Sequence, residues 1–232
     1  MIGEPRTHFA ECESTQLLLA PDDPEGAIAT TDHQTAGRGR LGRAWIEAPG
    51  TSALVSVLLR PPSGRSAPEL SLVAAAAVAL ALEDVTGTPA QVKWPNDVLL
   101  TGRKVAGILA ELRGGAVVLG IGVNVNQTEE QLPRDAKVPP GSLRALDGLE
   151  RDREGVLAAV LSRLDRLYAA WREVGLGAVH GDLGARDYLR GRRVRTDAGV
   201  GVAAGIDDAG RLLVRTDRGT LAVASGQIEL VP

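Results

Sequence analysis

The chain has a single cysteine, Cys12, among its 232 residues. One thiol cannot close an internal disulfide, and it cannot supply a metal motif built from paired cysteines. The sequence contains no uninterrupted apolar run of about 18 residues, and Met1 is not followed by a basic and then apolar leader. We therefore expect a cytoplasmic protein without a membrane segment.

Aromatic residues are scarce, at 3 % of the chain, whereas hydrophobic residues make up 44 %. The core is therefore predicted to consist of alanine, valine, leucine and isoleucine. Positive charge is in slight deficit, with 26 Lys and Arg against 29 Asp and Glu. Because general binding to nucleic acids or anionic membranes depends on summed positive charge, this balance argues against both functions.

The hydrophobic pattern over most of the chain predicts a mixture of strands and helices. Short apolar runs bounded by Gly or Pro indicate strands at 27–31, 52–59, 105–112 and 116–125. Gly114 and Gly115 separate the last two strands, which are predicted to form a hairpin. Helices are predicted at 69–85 and 154–171, and residues 127–150 are predicted to be a connection.

The pattern changes after about Asp187. Four short strands separated by tight turns are predicted, at 194–196, 199–206, 212–216 and 220–224. Closely spaced strands with Asp- and Gly-containing turns are typical of a small barrel. A chain of this length can bury roughly 70–75 % of its unfolded surface, which is enough for one full domain and a small one. We predict a domain boundary between 1–185 and 186–232.

Residues 37–45, the Arg-Gly loop, read Gly-Arg-Gly-Arg-Leu-Gly-Arg-Ala-Trp and combine flexibility with positive charge. Glycine permits several backbone conformations. Arginine presents a permanently charged fork suited to phosphate or carboxylate, and Trp45 offers a flat face for a ring. We predict an anion-binding loop that is mobile when empty and ordered around its ligand. The alternative is a solvated basic loop without function.

The same segment contains a Gly-x-Gly-x-x-Gly pattern, which by itself would indicate dinucleotide binding. A dinucleotide loop opens directly into a helix and is followed by an acidic residue about 20 positions later. Here the chain continues into the strand at 52–59, and residues 48–68 contain no acid. The lysine-containing P-loop pattern is also absent. Another arrangement must therefore hold any nucleotide.

Residues 93–97 read Lys-Trp-Pro-Asn-Asp. A buried lysine at a strand end can neutralise two anions brought together, and their repulsion is the main obstacle when a carboxylate attacks a phosphate. The alternatives are an exposed Lys93, a core Trp94 beside a Pro turn, and a simple Asn-Asp turn. Taken with the Arg-Gly loop, the segment predicts a site that receives two anions, one of them a phosphate.

Two more segments follow in order: Lys-Val-Ala-Gly-Ile-Leu at 104–109 and Gly-Ile-Gly-Val-Asn at 120–124. The four motifs together resemble those of biotin protein ligases, and with the barrel-like end the resemblance covers nearly the whole chain. It implies an α+β fold, in which a mixed-sheet catalytic domain of the biotin/lipoate ligase type precedes a small SH3-like β-barrel. It also implies activation of biotin by ATP and Mg²⁺ as biotinyl-5′-AMP. The biotinyl group then passes to a lysine of a biotin carboxyl carrier protein.

The resemblance implies roles for individual residues. Biotin contacts are expected from Ser14, Thr15, Gln34, Arg38, Gly39, Arg40, Lys93 and Gly107. Nucleotide contacts are expected from Arg40, Arg43, Trp45, Asn96, Lys104, Gly122 and Asn124. Arg40 and Lys93 are the expected catalytic residues, and Asp97 is the expected Mg²⁺ ligand and a candidate base toward the acceptor lysine. Gln16 departs from the family, which usually has Asn after Ser-Thr.

The partners follow from the same resemblance. Family members that repress transcription carry an N-terminal helix-turn-helix domain. Because Ser14 and Thr15 fall within the first fifteen residues, we expect no such domain and no DNA partner. A homodimer and a monomer are both compatible with the sequence.

Three other functions explain the sequence less completely. A lipoate ligase shares the fold but normally lacks the Gly-Arg-Gly-Arg loop. A nucleic-acid-binding module needs a broad basic face, which the charge balance opposes. A non-catalytic adaptor whose barrel binds peptides leaves the Arg-Gly loop and the Lys-Trp-Pro-Asn-Asp segment unexplained.

Overall fold

The computed structural model describes residues 1–134 and 136–231. Its larger sheet has seven strands, numbered here in chain order: β1 (Arg6–Cys12), β2 (Ile28–Gln34), β3 (Ser52–Leu59), β4 (Ala90–Lys93), β5 (Asp97–Leu100), β6 (Arg103–Arg113) and β7 (Ala116–Asn124). Their order across the sheet is β1-β2-β3-β7-β6-β5-β4. β1 runs parallel to β2, and the other neighbours are antiparallel. The predicted mixed sheet is confirmed.

The inner strand β3 is buried along its whole length, because both faces of the sheet are covered there. Successive side chains of a strand point to opposite faces. One face of β3 contributes to the main hydrophobic core, through Ala53, Val55, Val57 and Leu59. The other face carries Ser52, Leu54, Ser56 and Leu58, and Leu54 lines the cleft described below. This alternation separates the core of the domain from its candidate site.

Two long helices, α1 (Ala67–Thr86) and α3 (Arg153–Val174), cover the core face of the sheet. α1 is rich in Ala and Leu, which favour helix, and it stops at Gly87, whose φ of 68° ends the helix. α3 begins at Asp152, whose side chain accepts hydrogen bonds from the N–H groups of Glu154 and Gly155. Both predicted helices are confirmed, and each is slightly longer than predicted.

The remaining helical elements are short. They are α2 (Leu143–Asp147), α4 (His180–Arg186) and 3-10 turns at Thr15–Leu17, Arg40–Gly42, Glu129–Gln131 and Gly175–Ala178. Two of them lie in the predicted connection 127–150, which is therefore less irregular than expected. Across the described ranges, no helix has the length and apolar character needed to cross a membrane.

The second sheet forms the C-terminal part of the chain. It contains β8 (Arg193–Thr196), β9 (Gly199–Ile206), β10 (Leu212–Thr216), β11 (Gly219–Val223) and β12 (Glu229–Leu230), in the order β11-β10-β9-β8-β12 with antiparallel neighbours. The four predicted strands are confirmed. β12 has only two residues and was not predicted, yet it places residues 226–230 at the cleft.

Candidate active site

A cleft of about 1130 Å³ lies on the face of the larger sheet away from α1 and α3. The segment 37–46 leaves β2 and crosses over β7 and β6, while residues 93–97 join β4 to β5 on the far side. Residues 131–134 and 136–140 close a third side, and residues 226–230 of the second sheet close a fourth. Both predicted anion-binding motifs therefore line one cavity.

Three of the predicted biotin contacts meet at the amide of Gln34. Its Oε1 accepts hydrogen bonds from Ser14 Oγ at 3.1 Å, from the N–H of Thr15 at 2.9 Å and from Thr15 Oγ1 at 3.3 Å. Ser14 and Thr15 are buried. Since the oxygen is occupied in this way, the Gln34 NH₂ group and the hydroxyl lone pairs remain as the polar groups of this pocket.

Ser56 is a buried residue behind the pocket that sequence reasoning missed. Its Oγ lies 2.9 Å from Thr15 Oγ1 and 3.2 Å from Gln16 Oε1. Gln16 in turn donates through Nε2 to the carbonyl of Leu109 and lies against Gly120, where an added Cβ would be 3.1 Å from its Cδ. A signal was present in the sequence, because two serines interrupt the apolar β3 at positions that share one face.

The Arg-Gly loop folds as a narrow hairpin in this structure. Trp45 N–H donates to the carbonyl of Gly37 at 2.9 Å, and Gly39 N–H donates to that of Arg43 at 2.7 Å. At its tip, Leu41 has a φ of 57°, a left-handed conformation that is uncommon for leucine. The backbone thus has a defined closed shape, and its mobility in the absence of ligand stays a prediction.

Arg38 and Arg40 of the loop contact two parts of the larger sheet, namely strand β6 and the connection between β4 and β5. Arg40 Nη1 donates to Asn96 Oδ1 at 3.3 Å, and Asn96 Nδ2 donates to the carbonyl of Ile108 at 2.9 Å. Arg38 Nη2 lies 3.3 Å from Glu111 Oε1 on β6. Burial lowers the pKa of Arg40, and the charge of Arg43 acts in the same direction.

Trp45 fills a slot on the floor of the cleft. An added Cβ would lie 3.0 Å from its ring at Gly107 and 2.7 Å at Gly122, so the ring rests on bare backbone. The ammonium of Lys104 is 5.9 Å from the ring centroid. The indole Nε1 is buried and has no hydrogen-bond partner among residues 1–134 and 136–231. The Trp45 side chain thus occupies the space beside these two glycines, both of which are predicted to contact a ligand.

Lys93 is buried at the end of β4, with 9 % exposure. Its Nζ donates to the carbonyl of Ile228 at 3.3 Å. Burial lowers the pKa of Lys93, with smaller contributions from Lys104 and Arg43, and Asp97 opposes the shift. The alternative of an exposed Lys93 is therefore wrong.

Trp94 has a structural position, as one alternative anticipated. It is 1 % exposed, and its Nε1 donates to the carbonyl of Gly210 at 2.9 Å. That carbonyl belongs to a turn of the second sheet. Trp94 therefore connects the Lys-Trp-Pro-Asn-Asp segment to the C-terminal domain.

Asp97 is the acidic residue expected to hold a metal. Its Oδ1 lies 2.7 Å from Lys104 Nζ. In the described part of the chain no group of three or more His, Cys, Asp or Glu side chains is placed to hold a metal ion. Protein sites for Mg²⁺ with nucleotides commonly use one or two carboxylates and leave the other positions to phosphates and water. A single carboxylate such as Asp97 fits that kind of site.

Asn124 lies at the end of β7 with both ends of its amide bonded to protein. Its Nδ2 donates to the carbonyl of Gly141 at 2.9 Å, and its Oδ1 accepts from Gln127 Nε2 at 3.1 Å. Gln127, which sequence reasoning missed, also donates to Ser52 Oγ at 2.6 Å. These bonds fix the edge of the cleft, and a nucleotide contact of Asn124 stays a prediction.

Comparison with known proteins places this cleft in a family context. Residues 11–127 match the biotin/lipoate A/B protein ligase family, and residues 191–231 match the biotin protein ligase C terminal domain. The chain is 37 % identical to the bifunctional ligase/repressor BirA of Bacillus subtilis, over 89 % of this chain and 67 % of that protein. It is 35 % identical to the biotin–[acetyl-CoA-carboxylase] ligase of Paracoccus denitrificans, over 96 % of this chain and 97 % of that protein. The Aquifex aeolicus biotin protein ligase in complex with biotin and ATP superposes with a TM-score of 0.89, at 32 % identity and 99 % coverage of both chains.

Proposed function

The chain belongs to the biotin/lipoate A/B protein ligase family, and we infer that its cleft joins biotin to ATP as biotinyl-5′-AMP and transfers biotin to a carrier-protein lysine. The observation that carries this function is the meeting, in one cavity, of the Ser14–Thr15–Gln34 cluster, the Arg-Gly loop and buried Lys93. The Paracoccus denitrificans relative is a biotin–[acetyl-CoA-carboxylase] ligase and the Aquifex aeolicus structure is a biotin protein ligase, which disfavours lipoate as the substrate.

We propose that the polar cluster at Gln34 binds the ureido ring of biotin. A cyclic urea offers two N–H donors and one carbonyl acceptor. The NH₂ group of Gln34, which donates to none of the described residues, supplies a donor, and the hydroxyls of Ser14 and Thr15 supply donors and acceptors. The carboxylate tail then extends toward Lys93 and Arg40 beneath the hairpin, where Arg38 and Gly39 cover it.

The first step requires charge neutralisation and no general base. The biotin carboxylate is already ionised near neutral pH, and it attacks the α-phosphate of ATP as pyrophosphate departs. Lys93 and Arg40 offset the repulsion between the two anions, and charges in a site shielded from water act strongly. We assign Arg43 and Lys104 to the nucleotide, together with Trp45, Asn96, Gly122 and Asn124. Asp97 would hold a Mg²⁺ ion, which would supply further positive charge for neutralising the nucleotide.

In the second step the acceptor lysine attacks the acyl carbon, and AMP leaves. We propose the carrier domain of a biotin-dependent carboxylase as the partner, and the cytoplasm as the location. Asp97 is a candidate for accepting the proton of the attacking amine. The proposed catalytic domain spans 1–185 and the barrel 186–232, a boundary that falls at the end of α4. The exposed strand β1 offers an edge on which a homodimer can form.

The decisive experiment is incubation with biotin, ATP, Mg²⁺ and a purified carrier domain, followed by intact-mass measurement of the carrier. We expect a mass gain of one biotinyl group that disappears when ATP is omitted. A parallel reaction with lipoate tests the alternative. A lipoyl adduct without a biotinyl adduct would overturn the proposed substrate.

A further inference from the structure

Glu47 is a buried carboxylate that the proposed reaction does not use. It lies two residues after Trp45, where the Arg-Gly loop returns toward β3, and its side chain has 0 % exposure. Its Oε1 accepts a hydrogen bond from the N–H of Gln34 at 2.9 Å and lies 3.2 Å from Nδ1 of His33. Its Oε2 is buried without a hydrogen-bond partner in the part of the chain that the structure describes.

The hydrogen bond from the Gln34 N–H to Glu47 replaces a missing bond to a backbone carbonyl. Pairing between β2 and β3 runs from Ile28–Val57 to Thr31–Leu54 and stops before Gln34. The N–H of Gln34 therefore has no carbonyl from β3, and the Glu47 carboxylate takes that position. A buried N–H group without an acceptor would be strongly unfavourable.

The same contact links the two halves of the cleft. The side chain of Gln34 gathers Ser14 and Thr15 into the biotin pocket, while its backbone is tied to Glu47. Residues 34 and 47 are also the two ends of the segment that carries the hairpin, whose next rung joins Trp45 to Gly37. The carboxylate thus connects the pocket to the base of the loop.

We propose that Glu47 is a positioning residue, which orients Gln34 for binding biotin and fixes the base of the Arg-Gly loop. This inference rests on the proposed function. Burial raises the pKa of Glu47, against the opposing effects of the Gln34 N–H and His33. A buried acid is unfavourable, and its Oε1 accepts a hydrogen bond from the pocket residue Gln34. Positioning of Gln34 explains this arrangement better than packing alone.

The test compares Glu47→Ala with Glu47→Gln in steady-state adenylate formation. Removing the acceptor from a buried N–H should raise the KM for biotin about tenfold or more, with a smaller change in the KM for ATP. Glutamine keeps an oxygen in the same place, so its KM for biotin should stay within about threefold of wild type. The exposed Glu13→Gln, next to the pocket, is the matched control and should behave as wild type.

Backbone hydrogen exchange at Gln34 checks the contact independently of activity. Exchange should be faster in Glu47→Ala than in Glu47→Gln and wild type. If Glu47→Ala does not fold, Glu47→Asp withdraws the carboxylate by one methylene and should show the same rise in the KM for biotin.

The positioning role would be overturned if the KM for biotin were unchanged in Glu47→Ala, or if it rose equally in the Ala and Gln variants. A rise in the KM for ATP alone, or an unaltered exchange rate of the Gln34 N–H, would also overturn it. Failure of the wild-type protein to form any biotinyl adenylate would instead refute the proposed function. In that case the exchange data would still decide whether Glu47 holds Gln34.

Discussion

At the scale of single residues, the unusual feature of the cleft is positive charge without a carboxylate partner, buried at Lys93 and half-buried at Arg40. Lys93 and Arg40 form no ion pair with the described residues; each is held by a neutral oxygen, from Ile228 and Asn96 respectively. Burial lowers the pKa of both side chains. Such cations are unfavourable for folding, and they become favourable when anionic substrates enter.

Arg40→Ala should slow adenylate formation by about 10²–10³, which is the effect of removing one donor to the developing charge of a transition state. Single-turnover kinetics with saturating biotin and ATP measure this directly. Arg166→Ala, on the exposed face of α3, is the control. A variant at Arg40 with the wild-type rate would show that another group neutralises the acyl-phosphate.

As pH rises, the rate of adenylate formation should fall at a lower pH than it would with a lysine of ordinary pKa, because the reaction depends on the charge of Lys93. Its pKa lies below 10.5 mainly because of burial, so the cation that neutralises the two anions is lost earlier as pH rises. Lys93→Arg keeps the charge and should move the alkaline limit upward. The measurement is the pH profile of single-turnover rates, and coincident profiles for the two proteins would contradict the role.

The sign of the stability effect follows from the same lowered pKa. Between the folded-state pKa and 10.5, the unfolded chain binds a proton that the folded chain does not. The free energy of unfolding therefore rises with pH through that window on account of Lys93. At neutral pH the buried cation opposes folding, and Lys93→Met should raise the melting temperature.

At the scale of elements, the hairpin loop and the sheet floor fit each other through two glycines. Gly107 on β6 and Gly122 on β7 are direct neighbours across the ladder. Together they leave a shallow slot in which the Trp45 ring lies. The loop is thereby positioned by residues more than sixty positions away in the chain.

Gly122→Ala should displace Trp45, because the new Cβ would lie 2.7 Å from the ring. Overpacking of this kind costs about 1–3 kcal/mol, so we expect the KM for ATP to rise roughly tenfold, with a smaller change for biotin. Tryptophan fluorescence reports the ring movement, since Trp94 and Trp171 are buried elsewhere. Gly184→Ala, with open space around it, is the control. Unchanged fluorescence and an unchanged KM would show that the slot adapts.

At the scale of the whole molecule, the C-terminal sheet completes the cleft. Trp94 donates to Gly210 on one side of the contact between the domains, and Ile228 accepts from Lys93 on the other. An ion pair between Lys137 and Glu229 joins the rim of the cleft to β12. The position of Lys93, the proposed catalytic lysine, thus depends on the docking of a second domain.

Trp94→Phe should weaken that docking, because the Gly210 carbonyl loses its donor. A net loss of about 1 kcal/mol corresponds to roughly 2–4 °C in Tm for a chain of this size. Adenylate formation should slow roughly tenfold as Lys93 shifts. Trp171→Phe removes a comparable bond to Glu69 within the first domain. It should lower Tm while leaving the rate unchanged. Equal rates of adenylate formation in Trp94→Phe and Trp171→Phe would show that catalysis does not depend on the docking of the barrel.

Much of the fold follows from local patterns. β3, α1 and the β6–β7 hairpin were predictable because they are apolar runs bounded by Gly or Pro, with Gly87, Gly114 and Gly115 marking ends. α3 was predictable because its apolar residues recur with the helical period. β1 escaped prediction, since six of its seven residues are exposed and no apolar alternation marks it.

The sequence by itself determined the family, the Arg-Gly and Lys-Trp-Pro-Asn-Asp motifs and most elements, because these depend on residue type and short spacing. Only the tertiary structure decided which distant groups touch. The order of strands brings Ser56 to Thr15, and the docked barrel brings Ile228 to Lys93. The returning loop likewise brings Glu47 to Gln34. Such contacts leave no local periodicity, because they arise from the way the sheet and the second domain fold back on the chain.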